Sequence, residues 1–314
     1  MLTRPIIVVG TPRSGTTILT RCLSLHPDLW HLRAESHHIL EGPFHPTKTG
    51  YQSNRITAAD LSDDVTVDLR KSFYDQAINQ NLMFKDPATL LRGTSISNRL
   101  LSKVLSDLRA PGVRRQKPAR IRFLEKTPKN SLRIPMFAKL FPDALFIWNR
   151  RNPETNIDSL IDGWQAQNRF FGFSWDRYGK SGYDIMQNIN LIDYQQSRWK
   201  FVLVPGWKEL NGKRIADAAA LQYVKCHQYI EDDLKTISKD RVFHIQHEEF
   251  VRTPQQHLEN IFKWCGLEPS ILVKTFANSL PKINSTKKES AHSSSLRFKE
   301  EVHRVVNEYG ASCQ

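Results

Sequence analysis

Cysteine is scarce in this chain: 314 residues hold four, Cys22, Cys226, Cys265 and Cys313, widely separated and never in a C-x-x-C pair. Such spacing supports neither a disulfide framework nor a zinc-ligating cluster, so no metal is expected. Cys22 and Cys265 fall at apolar helical positions and read as small core residues. Long apolar runs are missing too. None approaches the ~20 residues that a helix needs to cross a bilayer, so no membrane span is expected. The N-terminus passes from Met1 through a short apolar stretch to Gly10 without a small-residue cleavage site, which argues against a secretory signal and for a reduced, cytoplasmic setting. No internal repeat is visible. Acidic residues are in deficit, with 32 Asp and Glu against 45 Lys and Arg, for a net charge of +13. That excess favours an anionic partner. Nine of the basic residues lie between Arg109 and Arg133, where Glu125 is the single acid. The stretch lacks interleaved aromatics and a helix-turn-helix pattern, so no nucleic-acid partner is expected. Its first half, around Pro111-Gly112 and Pro118, reads as a solvated loop.

What is present begins with a composition of 39% hydrophobic and 25% charged residues, enough for a substantial core and unlike collagen, coiled coil or a disordered chain. Ile6-Ile7-Val8-Val9 is an unbroken run of β-branched residues, the pattern of a strand buried on both faces of a parallel sheet. Gly10–Thr17 follows as a glycine-bounded loop. Ile18, Leu19, Cys22 and Leu23 then recur at helical spacing until His26-Pro27 ends the pattern. A second unit places a helix on Leu132, Met136 and Leu140, a turn at Pro142-Asp143, and a strand over Ala144–Trp148. Asn152 caps the next helix, with Pro153 at its first position and Ile157, Leu160, Ile161 and Trp164 on its apolar face. A third unit pairs a strand at Val242–Ile245 with a helix that starts at Thr253-Pro254 and ends at Gly266. Alternating strands and helices imply an α/β fold of three layers, with a central, mostly parallel sheet.

Two regions stand apart from this alternation. Ten of the chain's 31 aromatics fall between Phe170 and Trp207, among scattered glycines. Residues 165–210 therefore read as an aromatic-rich helical insertion, serving either as the core of a subdomain or as the lining of an acceptor pocket. The Ser- and Lys-rich segment 278–299 reads as a flexible lid or as a flexible approach to a last helix.

The Gly10–Thr17 loop has the spacing of a Walker A motif, but Thr16 stands where the Lys belongs. Backbone N–H groups at a helix start still favour a phosphate. Without the Lys, gripping a γ-phosphate in the manner of a kinase is disfavoured. Ser14, Thr16 and Thr17 offer hydroxyl donors and Arg13 a fixed charge.

Pro12-Arg13-Ser14-Gly15-Thr16-Thr17 resembles the 5′-phosphosulfate loop of sulfotransferases that use 3′-phosphoadenosine 5′-phosphosulfate (PAPS), in the Arg form of tyrosylprotein sulfotransferases and many bacterial members. Arg151-Asn152-Pro153 with Ser159 eight positions after the Arg is similar to that family's 3′-phosphate site. Ser159 lies two turns beyond the Asn152 cap on the same helix face, so one phosphate can be gripped by both side chains. Glu125-Lys126-Thr127-Pro128 resembles a Lys-containing catalytic turn, with Lys126 placed 25 residues before Arg151. Glu35, 22 residues after Arg13, lies at nearly the distance at which tyrosylprotein sulfotransferases carry their catalytic base. His31, His37 and His38 compete for that role, since other branches use His. The resemblance covers roughly Pro5–Gln165 and, more weakly, Val242–Gly266. It departs in lacking the Gly-rich C-terminal motif that covers adenosine in cytosolic members, and in having Gly163 where some relatives carry an extra Arg. Lys287, Lys288 and Arg297 are the candidates for that cover.

The resemblance implies one sulfotransferase domain over 1–314 with a P-loop-like fold and PAPS as co-substrate. The nucleotide would be bound by Arg13, Ser14, Gly15, Thr16, Thr17, Arg151 and Ser159. Glu35 would act as base on a hydroxyl or amine of an unidentified acceptor, with Arg13 and Lys126 stabilising charge on the sulfuryl group and the leaving phosphate. Two rivals remain: a P-loop kinase of small molecules, and a sulfotransferase-like protein that binds an anionic glycan without turnover.

Overall fold

The structure, a computed structural model, describes residues 1–32, 34–83, 118–166 and 182–280. Five strands, β1 (Ile6–Val9), β2 (Leu29–His31), β3 (Arg122–Lys126), β4 (Leu145–Arg150) and β5 (Val242–Gln246), form one sheet in the order β2-β3-β1-β4-β5. Every pairing is parallel, with Val8 opposite Lys126 on one side and Ile147 on the other. β1 has strands on both edges and helices on both faces, and its four side chains are at most 1% exposed. That is why it reads as a continuous apolar run rather than an alternation.

The described helices are α1 (Thr16–Ser24), α2 (His37–Leu40), α3 (Asp63–Met83), α4 (Ile134–Leu140), α5 (Pro153–Gln165), α6 (Ile215–Leu234), α7 (His247–Arg252), α8 (Pro254–Cys265) and α9 (Ile271–Ser279). The period-two alternation of the strands divides the core between the two sheet faces. Ile7, Val9, Phe123, Phe146 and Trp148 join α3, α4 and the end of α6. Ile6, Val8, Leu124, Leu145 and Ile147 join α1, α8 and α9. The result is the three-layer arrangement expected from the sequence. Helix ends follow it as well. The Asn152 side chain accepts from the Thr155 N–H, and Gly266 closes α8 in the left-handed region at φ 68°.

The aromatic-rich stretch is described from residue 182 onward, and its earlier part lies outside the described residues. Tyr183, Tyr194, Trp199 and Trp207 pack with Ile157, Leu160 and Trp164 of α5 and with the start of α6 as a third buried cluster. Trp164 meets Trp199 edge-on, with ring centroids 5.0 Å apart, and Trp199 meets Trp207 at 5.6 Å. Each indole N–H finds an acceptor, on Gln222, Val202 and Tyr51 respectively, as buried indoles require. The four described side chains of Tyr183, Tyr194, Trp199 and Trp207 are buried in that cluster. Helical character in this described part is confined to 3₁₀ turns at Met186–Asn188 and Trp207–Leu210. Of the segment 278–299, residues 281 onward lie outside the described residues, among them Lys287, Lys288 and Arg297; so do Cys313 and the first half of the basic stretch.

Candidate active site

A parallel sheet delivers all its carboxyl ends to one rim, and ligand sites of such sheets lie there. Along this rim stand the loop after β1, the residues that follow β2, the end of β3, the Arg150-Arg151 end of β4 and the His247 end of β5. The loop is held from below by two asparagines. Asn149 donates to the Ser14 carbonyl at 3.0 Å, and Asn156 donates to the Pro12 carbonyl at 2.9 Å while accepting from the Thr11 hydroxyl at 3.0 Å. Gly10 and Gly15 are dictated by close approach. A Cβ on Gly10 would lie 2.6 Å from the Asn149 carbonyl oxygen, and one on Gly15 would lie 2.2 Å from Nδ1 of His247. Gly15 also has φ 89°, in the region where a side chain is strained. It ends the loop and opens α1 without any side-chain cap. The first N–H groups of α1 therefore lack partners inside the helix and form an anion-binding terminus.

Of the loop hydroxyls, that of Ser14 is fully buried beneath Gly10, and Thr16 is 4% exposed. Thr17 is at the surface, and its Oγ1 accepts from Lys126 Nζ at 3.3 Å. Arg13, at φ 69°, turns outward, and its Nε donates to the Ser159 hydroxyl at 3.1 Å and to the Ser159 carbonyl at 3.3 Å. Arg151 Nη1 in turn donates to the Arg13 carbonyl at 2.8 Å, and its Nε donates to Thr155 at 3.2 Å. The two motifs 138 residues apart are thus one constellation. Burial pulls the Arg151 pKa down; the neighbouring Arg13 charge adds to that and Glu248 opposes it. Two guanidinium groups brought together at an open rim suit a phosphate.

Around the corner of the loop, Lys126 Nζ donates to Glu35 Oε1 at 2.7 Å, while His37 Nε2 donates to Glu35 Oε2 at 2.9 Å. Burial would raise the Glu35 carboxyl, but Lys126 and His37 outweigh it and hold the pKa at about 2. Of the rival histidines, His31 Nδ1 bonds the Leu32 carbonyl and His38 Nε2 bonds Gln76. Ser36 bolts this segment to the end of β3: its N–H donates to Thr127 at 2.9 Å and its hydroxyl to Glu125 at 2.6 Å. Glu125 is buried and also accepts from Thr127 and Asn130, and burial pushes its pKa up.

Behind His37 lies a set of buried ions that sequence reasoning missed. Glu41 accepts from Lys129 at 2.6 Å and from the Tyr183 hydroxyl at 2.9 Å, with Arg133 Nη2 at 3.6 Å. Lys129 is 2% exposed, and desolvation lowers its pKa to about 8 despite the Glu41 charge. His247 was also missed, although it is half of the contact that makes Gly15 obligatory. The signal for Asn149 and Asn156 was equally faint, because an Asn at a strand end or inside a helix has no distinctive pattern until its loop partner is known. Gly163, by contrast, has a visible reason. The Phe201 ring, projected by a left-handed backbone at φ 62°, covers it, and a Cβ there would lie 2.4 Å from that ring. Among the described residues no three His, Cys, Asp or Glu side chains are placed to hold a metal ion.

The sequence matches the model of the Sulfotransferase family over residues 5–198. No curated protein matches it in sequence. Among solved structures it is similar to sulfotransferase STF9 from Mycobacterium avium, with 16% identity and a TM-score of 0.50 over 99% of this chain and 77% of that one. It is also similar to the sulfotransferase domain from the curacin biosynthetic pathway, with 16% identity and a TM-score of 0.52 over 98% of both chains. At such identity these two structures speak for the fold alone, which is an α/β fold with a parallel five-stranded sheet like theirs. The family match spans more than half of the chain, and the chain belongs to the sulfotransferase family.

Proposed function

We propose that this protein transfers the sulfuryl group of PAPS to a hydroxyl or amine. The observation that carries this reading is the run of hydrogen bonds from Arg151 to the Arg13 carbonyl and from the Arg13 side chain to Ser159, set beside an uncapped loop helix. One half suits a 5′-phosphate, held by the N–H groups that open α1 and by Thr17. The other suits a 3′-phosphate, held by Arg151 and Ser159. PAPS supplies the activated sulfuryl group. Lys126 stands where it can neutralise charge on that group, and it already reaches Thr17 of the loop. Glu35 is the group that takes the acceptor's proton. Lys126 and Glu35 are ion-paired at rest, so an anionic donor that draws the ammonium away also frees the carboxylate.

The test is transfer of radiolabelled sulfate from PAPS to pooled small-molecule hydroxyl and amine acceptors, in the presence of excess EDTA. Label should move to an acceptor, and EDTA should not diminish it, because side-chain cations fill the place that Mg²⁺ takes in kinases. Activity that EDTA abolishes and Mg²⁺ restores, with ATP as the donor consumed, would overturn the reading in favour of a kinase.

A further inference from the structure

Glu35 is held by both carboxylate oxygens, and the two holds differ in kind. Oε1 meets Lys126, a side chain that reaches out to the loop and has Thr17 as a second partner. Oε2 meets His37, which is 4% exposed. The far nitrogen of that ring, Nδ1, lies 3.5 Å from Oε1 of Glu41, beyond hydrogen-bond length but close enough for a charge interaction. Glu41 is itself fixed, by Lys129 and Tyr183, and Tyr183 is fixed by Asn54 at 2.5 Å. The charged groups facing His37 are thus Glu35 and Glu41, with Lys126, Lys129 and Arg133 one contact further away. Neither ring nitrogen is left to meet an acceptor: Nε2 is spent on Glu35, and Nδ1 faces Glu41 in the interior.

We propose that His37 is not a base but the positioning residue of the base, pinning Oε2 of Glu35 so that Oε1 is the oxygen that receives the acceptor's proton. This rests on the sulfuryl-transfer reading. In that step the acceptor O–H or N–H bond breaks and its proton goes to Oε1. The freed electron pair forms the bond to sulfur, and the pair of the broken sulfur–oxygen bond leaves with the phosphate. A carboxylate free to rotate would present either oxygen and spend much of its time misaligned. The backbone of the segment is already fixed through Ser36, so His37 completes the fixation at the carboxylate itself.

The test compares His37→Leu, which removes the donor, with His37→Gln, whose amide nitrogen can donate in the place of Nε2. His37→Leu should lower kcat by roughly 10²-fold, the cost of a misplaced catalytic group, with affinity for 3′-phosphoadenosine 5′-phosphate unchanged. His37→Gln should recover most of the rate. In a Glu35→Gln background, His37→Leu should cost nothing more, because it acts only through the carboxylate. An undiminished kcat in His37→Leu overturns the proposal, and so does a full additional loss in the double variant. A readout that needs no turnover is the crystal structure of the two variants. The Glu35 carboxylate should leave its place in His37→Leu and keep it in His37→Gln, and a carboxylate unmoved in the Leu variant also overturns the proposal. If the native protein transfers no sulfate, the sulfuryl-transfer reading fails, while this structural comparison still decides whether His37 fixes Glu35.

Discussion

With burial pushing its carboxyl up and Lys126 and His37 pulling it down to about 2, Glu35 at rest is too weak a base for a hydroxyl. In the proposed transfer its basicity rises as the ammonium of Lys126 turns to the anionic donor, since each lost cationic contact lifts a carboxylate pKa. Glu35→Gln keeps the size and the hydrogen-bonding capacity of the side chain but removes the proposed base. It is expected to lower kcat by ~10²–10⁴-fold, the usual range for general base catalysis, and to leave nucleotide affinity nearly unchanged. Rates measured at saturating PAPS, with affinity from titration calorimetry, check this. A normal rate would make Glu35 a structural partner of Lys126, and a collapse of nucleotide binding would place the side chain in the phosphate loop's support. The candidacy of Glu35 followed from the resemblance, which implies a base at nearly this distance from Arg13, but the standing of His37 did not. Three histidines in a short segment look equivalent in sequence, and only the fold sends His37 inward to Glu41 and leaves His38 exposed.

Strands and helices differ in how openly the chain declares them. β1 and β4 are covered by helices on both sheet faces, so both faces demand apolar residues and the run is continuous. β3 is just as internal, yet it begins with Arg122 and ends with Glu125-Lys126. Its charges are answered by distant groups: Arg122 donates to the Cys265 and Gly266 carbonyls, and Glu125 collects three donors. Tertiary partners that compensate local polarity make such a strand invisible to hydrophobic patterning. β2 has only three residues, too few for any pattern. The joint between β1 and α1 gives an expectation of its own. Gly15→Ala puts a side chain at φ 89° and its Cβ inside the His247 ring. The backbone strain costs ~1–2 kcal/mol, and the clash adds to it. A lower melting temperature and weakened nucleotide binding are expected. His247→Ala in the Gly15→Ala background should recover the clash but not the strain. If Gly15→Ala melts like the native protein, the loop is not under the constraint described.

Across the molecule, the net charge of +13 was the earliest hint of an anionic ligand, and the fold shows where part of that charge converges. The rim gathers Arg13, Lys126 and Arg151 from three strand ends that are far apart in the chain. The Gly10–Thr17 loop could be read from its glycine spacing between a strand and a helix, and the Arg151…Ser159 pair from its resemblance to the 3′-phosphate site of sulfotransferases. What joins them, Arg13 reaching across to Ser159 and Arg151 back to the Arg13 carbonyl, depends on β1 and β4 being neighbours. The Glu41, Lys129 and Arg133 cluster needed the same knowledge, because Glu41 comes from one segment and Lys129 and Arg133 from another, and each is an ordinary surface type until buried. The most direct measurement of whether this rim is a 3′-phosphoadenosine site is calorimetric titration of the native protein and Arg151→Ala with 3′-phosphoadenosine 5′-phosphate and with adenosine 5′-phosphate. The native protein should prefer the former, and Arg151→Ala should lose ~1.5–3 kcal/mol of binding to it, the range for a charge-assisted contact, while its binding of adenosine 5′-phosphate stays unchanged. Equal losses for both nucleotides, or a native protein that does not distinguish them, would contradict the assignment.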